Sequence, residues 1–263
     1  MSGNSGCVAF VDLDDTLFSS LRRQRLAEEL VPAATLIDGS VICYTNPAQR
    51  ALYGMLVAAA NVIPVTARNI AAFRRVQLPF KGVTICSHGA TILRPDGHID
   101  REWGQAMEAP LAAARDALKD FVAMAGRLVD SRGGSLRTWL VDDGGDPAYA
   151  VIKHPAHDYE AIRSVADTAV ADWLRANPGF RLHVNGNNLA VLPPGVGKAV
   201  AVAHIVTRLR DQGLASVVIG AADSNTDHEF LDQCDIIIMP TRSQLGDSLR
   251  HGVAEWEAAR ASV

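Results

Sequence analysis

The sequence of 263 residues has few cysteines, few aromatic residues and no long apolar run. Its four cysteines, Cys7, Cys43, Cys86 and Cys234, lie far apart and form no CxxC pair. This argues against a disulfide framework or a zinc site and favours reduced thiols. No apolar run approaches the ~18 residues of a membrane span, and the first residues lack the regions of a secretion signal. We therefore expect a cytoplasmic protein without a membrane partner.

The sequence also lacks a basic run. It has 25 lysine and arginine residues against 29 aspartate and glutamate residues, a net charge of −4. The basic stretch RRQR at 22–25 is short and isolated, whereas a nucleic-acid-binding surface needs concentrated positive charge. We therefore exclude nucleic acid as a partner and expect a monomer or a homodimer that acts on a small molecule.

The most informative positive feature is the segment CVAFVDLDDT at 7–16, in which an apolar run leads directly into acidic residues. Such a run predicts a strand buried on both faces of a parallel sheet. Asp12 and Asp14 are two residues apart, so in an extended chain both point into one pocket beyond the strand's carboxyl end. Two convergent carboxylates suggest a hard cation and an anionic ligand. The alternative is a turn in which Asp15 and Thr16 cap the next helix.

Three further polar motifs follow along the chain. Thr66 ends an apolar segment at 61–65, and Asp223 and Asp227 follow another at 217–220. Lys198 lies where a Pro/Gly loop leads into an amphipathic helix. Each motif also has a purely structural explanation. Thr66 and Asp223 are suited to cap helices, and Lys198 is suited to be a solvated surface residue.

Taken together, these motifs resemble those of the haloacid-dehalogenase-like (HAD) hydrolase superfamily. The resemblance rests on the DxDxT pattern of Asp12, Asp14 and Thr16 and on the three later motifs. The resemblance implies a Rossmann-like parallel-sheet core and phosphate chemistry. The chain departs from the family pattern at four positions: Asp15, Ala67, Ala222 and Thr226. None of these departures removes a reacting group.

The resemblance also implies roles for individual residues. Asp12 would be the nucleophile and Asp14 the general acid and base, while Thr66 and Lys198 would hold phosphate oxygens. Mg²⁺ would be held by Asp12, the backbone carbonyl of Asp14, Asp223 and Asp227. The expected substrate-binding residues are Thr66, Arg68, His88, Gly89, Asn188 and Lys198, with Arg137, Lys153 and His183 as further candidates.

About 130 residues separate Thr66 from Lys198, far more than one crossover needs. We predict an inserted α+β cap of α-β-β-α-β content, with helices over 110–128 and 158–176. The fold class is thus α/β: a HAD core at 1–90 and 188–263 with a cap at 91–187. A cap in this place is the family's C2 type, and the resemblance is to the Cof-type, sucrose-phosphate and mannosyl-3-phosphoglycerate phosphatases.

A second insertion lies between residues 18 and 45. It consists of a charged segment predicted as helical, LRRQRLAEEL at 21–30, and a hairpin-like segment, TLIDGSVICY at 35–44. Both follow the first strand closely. They either shape specificity at the pocket or form a surface arm or dimer contact.

The sequence therefore predicts a Mg²⁺-dependent phosphatase that hydrolyses a small phosphate ester, a sugar phosphate, through an aspartyl-phosphate. The low aromatic content of 6% suits a sugar better than a stacked base. Two alternatives remain open. A phosphomutase shares all four motifs, and a catalytically weak binding or regulatory protein is suggested by Ala222 and Thr226.

Overall fold

The computed structural model describes residues 6–24, 29–128, 134 and 136–261, the last six through their backbone only. The strands within these residues are β1 (Cys7–Val11), β2 (Ser19–Ser20), β3 (Val31–Thr35), β4 (Val41–Thr45), β5 (Asn61–Pro64), β6 (Thr84–Cys86), β7 (Thr91–Leu93), β8 (Arg137–Val141), β9 (Tyr149–Lys153), β10 (Arg181–Asn185), β11 (Asn188–Leu192), β12 (Val217–Ala221) and β13 (Ile236–Ile238). The helices are α1 (Pro47–Ala59), α2 (Ile70–Phe73), α3 (Arg101–Ala125), α4 (Tyr159–Val165), α5 (Ala171–Ala176), α6 (Lys198–Asp211), α7 (His228–Leu231) and α8 (Gln244–Ala261), and a π-helical turn, Ala166–Val170, joins α4 to α5.

A parallel sheet in the order β13-β12-β1-β5 forms the first core. β1 lies inside this sheet and is buried on both faces, as its apolar run predicts. Val8 and Phe10 pack with α6 on one face, and Ala9 and Val11 pack with α1 on the other. The carboxyl ends of β1, β5 and β12 consequently meet at one edge of the sheet.

The cap is built on a separate antiparallel sheet in the order β10-β11-β9-β8. α3 and the α4–α5 segment cover one face of it and enclose a second apolar core around Leu118, Phe121, Ile152 and Ile162. β11 pairs with β9 and β10, so this strand belongs to the cap sheet although the predicted division at 187/188 assigned it to the core. The chain therefore leaves the cap sheet only after Leu192.

α3 begins earlier than the sequence indicated. A proline favours the first turn of a helix, so Pro110 suggested a start there. The helix instead begins at Arg101, where the Asp100 carboxylate accepts a hydrogen bond from the Trp103 amide, and Pro110 lies inside it. None of the helices among the described residues is long and apolar enough to cross a membrane.

The insertion at 18–45 packs onto the first core. β3 and β4 form the predicted antiparallel hairpin, and β2 pairs with the other edge of β4. The predicted helix at 21–30 is a single 3₁₀ turn, Leu21–Arg23, in its described part, and residues 25–28 lie outside the described residues. Ala33, Ala34 and Cys43 are buried with Leu56 of α1, so the hairpin is an integral layer of the core.

Candidate active site

Three carboxylates converge at the carboxyl edge of the parallel sheet. Asp12 directly follows β1, Asp223 comes just after β12, and Asp227 closes a 3₁₀ turn ahead of α7. One oxygen from each carboxylate lies within 4.8 Å of the others, and all three residues are buried. The strand-end argument therefore placed these residues together correctly.

Lys198 provides the positive charge at this cluster. Its Nζ donates hydrogen bonds of 2.6 Å to Asp12 Oδ1 and of 2.6 Å to Asp227 Oδ1. The residue opens α6, so the loop before that helix delivers the ammonium group to the sheet edge. Lys198 is thus a buried member of the site and not a solvated surface residue.

The cluster is under electrostatic stress. Burial, opposed by Lys198 and reinforced by Asp227 and Asp223, raises the pKa of Asp12 well above its ordinary value. Burial, then the charges of Asp15 and Asp227, raise the pKa of Asp223 to about 7. Burial lowers the pKa of Lys198, but its two aspartate partners outweigh this and raise it. Three carboxylates against one ammonium leave excess negative charge, which a cation would offset.

Asp14, which we predicted to share one pocket with Asp12, is not a member of this carboxylate cluster. Both of its carboxylate oxygens accept hydrogen bonds from Arg68, at 2.8 Å from Nε and 2.7 Å from Nη2. The guanidinium also donates to Cys43 Sγ at 3.5 Å and lies over the Phe18 ring, 5.1 Å from its centroid. Arg68, which we expected to bind substrate, therefore engages Asp14 because the two strand-end loops face each other.

Thr66 is buried beside the end of β1. Its backbone continues the sheet, since its amide donates to the Ile85 carbonyl at 2.9 Å. Its hydroxyl accepts a hydrogen bond from the Arg68 amide at 3.1 Å, whereas the cap of α2 is Asn69. The alternative in which Thr66 caps the helix is thus replaced by a local turn that fixes Thr66 at the site.

A tight turn at 87–89 joins the antiparallel strands β6 and β7 and lies against the cap. Ser87, His88 and Gly89 have left-handed φ values of 50°, 54° and 93°. A Cβ on Gly89 would lie 2.3 Å from the Gly197 carbonyl oxygen, so only glycine permits this approach to the start of α6. The His88 ring meets Tyr149 and His183 of the cap edge-on, with centroids 4.9 and 4.6 Å away.

A cavity of about 210 Å³ opens beside Lys198, between cap and core. Arg181 is a lining residue that the sequence reasoning missed, and its guanidinium donates to Glu229 Oε2 at 2.7 Å and to the Val196 carbonyl at 2.6 Å. Its position two residues before His183 on β10 was the available signal. The polar residues of the lining are His88, Arg181, His183, Lys198, Asn225, Thr226 and Glu229.

Three predicted cap residues do not line this cavity. Asn188 lies at the start of β11 opposite Asn185 and Lys153. Lys153 shares that row, and Arg137 lies over the Trp139 ring, 5.9 Å from its centroid. All three residues lie at the ends of their strands and outside the lining of the cavity.

Two cap residues tie the cap to the loops of the site. The Asp143 carboxylate accepts hydrogen bonds from the Ile70 amide at 2.8 Å and from the Ser87 and Thr91 hydroxyls at 2.7 Å each. The Tyr149 hydroxyl donates to the Ala67 carbonyl at 2.8 Å. The sequence marked the segment around Asp143 only as a turn, because nothing in it indicates a partner across the domain boundary.

No protein-family model matches the chain, and no curated protein matches it. The chain is similar to the solved structure of the sucrose-phosphatase from Synechocystis sp. PCC6803 in complex with sucrose and phosphate, with 15% identity, a TM-score of 0.57 and coverage of 95% of this chain and 88% of that one. It is also similar to a protein of Thermoplasma acidophilum, with 14% identity, a TM-score of 0.52 and coverage of 90% and 86%. A trehalose-6-phosphate phosphatase related protein matches with 19% identity, a TM-score of 0.48 and coverage of 88% and 85%. The similarity to the sucrose-phosphatase confirms the predicted fold class, an α/β protein with a parallel-sheet core.

Proposed function

We propose that this protein is a phosphoric monoester hydrolase that releases phosphate from a small phosphorylated metabolite, a sugar phosphate. The observation that carries the proposal is the buried cluster of Asp12, Asp223 and Asp227 around Lys198 at the carboxyl edge of the parallel sheet. The fold similarity of this protein to a sucrose-phosphatase supports the same chemistry. Catalysis of phosphoryl transfer depends mainly on positioning and charge neutralisation, and this cluster supplies both.

The cluster fits Mg²⁺ by its donor chemistry. Hard carboxylate oxygens are the ligands that Mg²⁺ prefers. Burial, reinforced by neighbouring carboxylates, raises the pKa values of Asp12 and Asp223, and a bound cation would oppose this shift. Asp12, Asp223 and Asp227 would hold the ion, together with the backbone carbonyl of Asp14. When bound, Mg²⁺ would neutralise charge on the phosphate and on the carboxylates.

Asp12 is the proposed nucleophile. One of its carboxylate oxygens would form a bond to phosphorus while the bond from phosphorus to the ester oxygen breaks, which gives an aspartyl-phosphate. Lys198 orients this carboxylate through the 2.6 Å hydrogen bond and would also attract phosphate oxygens. Thr66, fixed at the adjacent strand end, would donate a hydrogen bond from its hydroxyl to another phosphate oxygen.

Asp14 is the proposed acid and base. It would give its proton to the departing alkoxide, and as a carboxylate it would later take a proton from water, whose oxygen attacks phosphorus and releases Asp12 and inorganic phosphate. Because both Asp14 oxygens accept from Arg68, this transfer requires Asp14 to turn from Arg68 toward the ester.

The test is phosphate release from a panel of phosphate esters with Mg²⁺ present, using the wild-type chain and Asp12→Asn. We expect release by the wild type and none by the variant, because the amide is a poor nucleophile of similar size. Recovery of an isomeric sugar phosphate in place of inorganic phosphate would assign a mutase. Ligand binding without release of phosphate from any ester would assign a binding protein.

A further inference from the structure

The cavity beside Lys198 is walled by two histidines that belong to different domains. His88 comes from the turn at 87–89 in the core and His183 from β10 of the cap, with ring centroids 4.6 Å apart and planes at 67°. Among the described residues, no ring nitrogen of either histidine has a hydrogen-bond partner. Neither ring is among the fully enclosed polar atoms that lack a partner, so these nitrogens are open to the cavity and available to a ligand.

The charged groups of the cavity are already paired with one another. Lys198 is held by Asp12 and Asp227, and Arg181 is held by Glu229. With Lys198 assigned to the phosphate in the proposed function, a second negative group on the substrate would find no unpaired cation among the described lining residues, and its desolvation would be costly. The imidazoles of His88 and His183 are lining groups without a hydrogen bond to a described residue. They suit a ligand group that is itself neutral and rich in hydroxyls.

The imidazoles are neutral for a physical reason. Burial, then the proximity of His183 and Lys198, lowers the pKa of His88 well below its ordinary value. Burial and Lys198 lower the pKa of His183 to about 4. A neutral imidazole offers one donor and one acceptor, which matches the donor and acceptor character of a hydroxyl group.

The backbone holds His88 in place at a conformational cost. Its φ of 54° and ψ of 27° lie in the left-handed region, which non-glycine residues seldom occupy. The turn is fixed on both sides, because Ser87 donates to Asp143 at 2.7 Å and Trp103 Nε1 donates to the Gly89 carbonyl at 3.0 Å. Strained residues held in this way concentrate at functional sites, and here the strain directs the imidazole to the cavity.

We propose that His88 and His183 are the specificity-determining residues of this site and that they bind the hydroxyl groups of one neutral sugar ring. The inference rests on the proposed phosphatase function. The cavity volume of about 210 Å³ is more than ten times the ~10–15 Å³ that one water molecule requires, so there is room for one six-membered ring with its hydroxyls. The preferred substrate is then a phosphate ester in which the unit next to the phosphate is a neutral monosaccharide. Phosphate esters that carry a carboxylate or a second phosphate are disfavoured.

The test compares kcat/KM for hexose 6-phosphates, 3-phosphoglycerate and p-nitrophenyl phosphate in four variants. His183→Phe keeps a ring that packs on His88 but removes both nitrogens, whereas His183→Gln loses the ring but keeps a neutral donor and acceptor. His88→Asn shortens the polar reach and suits a left-handed φ. His98→Gln, at an exposed turn outside the cavity, is the matched control.

We expect the wild type to prefer hexose 6-phosphates over 3-phosphoglycerate by about tenfold or more, because each unpaired hydrogen bond or charge costs selectivity. His183→Phe and His88→Asn lose about tenfold more on hexose 6-phosphates than on p-nitrophenyl phosphate, mainly through KM. His183→Gln retains more of the preference than His183→Phe, and His98→Gln retains all of it.

Four results would overturn the inference. Retention of the preference in His183→Phe with its loss in His183→Gln would assign the histidines to ring packing alone. A wild-type preference for 3-phosphoglycerate would refute the neutral sugar. Failure of the wild type on every ester, including p-nitrophenyl phosphate, would refute the phosphatase function itself and the inference with it, whereas hydrolysis of p-nitrophenyl phosphate without a hexose preference refutes only the inference.

Discussion

Asp223→Asn should stabilise the metal-free protein while it removes metal-dependent activity. Asp223 is 3% exposed and shares its buried site with Asp12 and Asp227. Burial, Asp15 and Asp227 raise its pKa from an ordinary 3.8 to about 7. A neutral amide of the same shape avoids both the desolvation and the repulsion, so the folded state should gain stability.

The sign and size of this effect follow from proton linkage. As pH rises from 4 toward 7, the unfolded chain releases the Asp223 proton while the folded protein retains it, so stability falls through this window and stays low above it. The free energy of unfolding falls by about 1.4 kcal/mol per pH unit between the unfolded pKa of 3.8 and the folded pKa of about 7. The total loss is on the order of 4 kcal/mol. The variant loses part of a 3.5 Å contact from Thr16 and the native site relaxes, so we expect a net gain of about 1–3 kcal/mol.

The assay is urea-induced unfolding with a chelator present, measured near pH 5 and near pH 8. Asp223→Asn should exceed the wild type in stability near pH 8, and the gap should be less than half as large near pH 5. Asp120→Asn, which removes an exposed charge on α3, is the control and should change stability by less than about 0.5 kcal/mol. Added Mg²⁺ should stabilise the wild type and leave Asp223→Asn nearly unchanged. A variant that is less stable than the wild type near pH 8, or a gap that does not depend on pH, would refute the reasoning.

Gly89→Ala should destabilise the protein by about 3 kcal/mol or more in urea unfolding, because its Cβ would lie 2.3 Å from a backbone carbonyl oxygen and φ is 93°. Gly97→Ala, at a φ of 80° with nothing within 4 Å, should cost only about 1 kcal/mol, and equal losses would contradict the close-contact argument. Arg68→Met should lower kcat by about tenfold or more on an alkyl phosphate and less on p-nitrophenyl phosphate, with partial recovery in Arg68→Lys, because Arg68 holds Asp14, the acid of the proposed mechanism. Equal loss on both esters in steady-state assays would mean that Arg68 acts on phosphate instead. Asp143→Ala should raise KM and speed proteolysis between the domains, since three hydrogen bonds from the core end on this carboxylate, and unchanged proteolysis would show that the cap is held by other contacts.

Sequence reasoning succeeded where local pattern and sheet topology decide the outcome. The apolar run of β1 predicted a doubly buried strand, and parallel topology then brought Asp12, Thr66 and Asp223 to one edge. The start of α1 was equally predictable, because Asn46 caps the helix and exchanges hydrogen bonds with Gln49 in a capping box.

Sequence reasoning failed where the partner of a side chain lies on a distant element. Arg68 is separated from Asp14 by 54 residues, and nothing local indicates that the two form an ion pair. Asp143 reaches Ile70 across the domain boundary in the same way. At α3 the signals competed, since Pro110 and Asp100 both suit a helix start, and the burial of Trp103 and Met107 in the first core favours the longer helix.

The central claim is that Asp12 is the nucleophile of a phosphatase. Its most direct test is rapid quenching of the wild-type protein with a ³²P-labelled phosphate ester and Mg²⁺, followed by isolation of the labelled peptide. We expect transient label on the peptide that contains Asp12, release of the label as inorganic phosphate, and neither in Asp12→Asn. Turnover by Asp12→Asn, or label on a peptide without Asp12, would contradict the account.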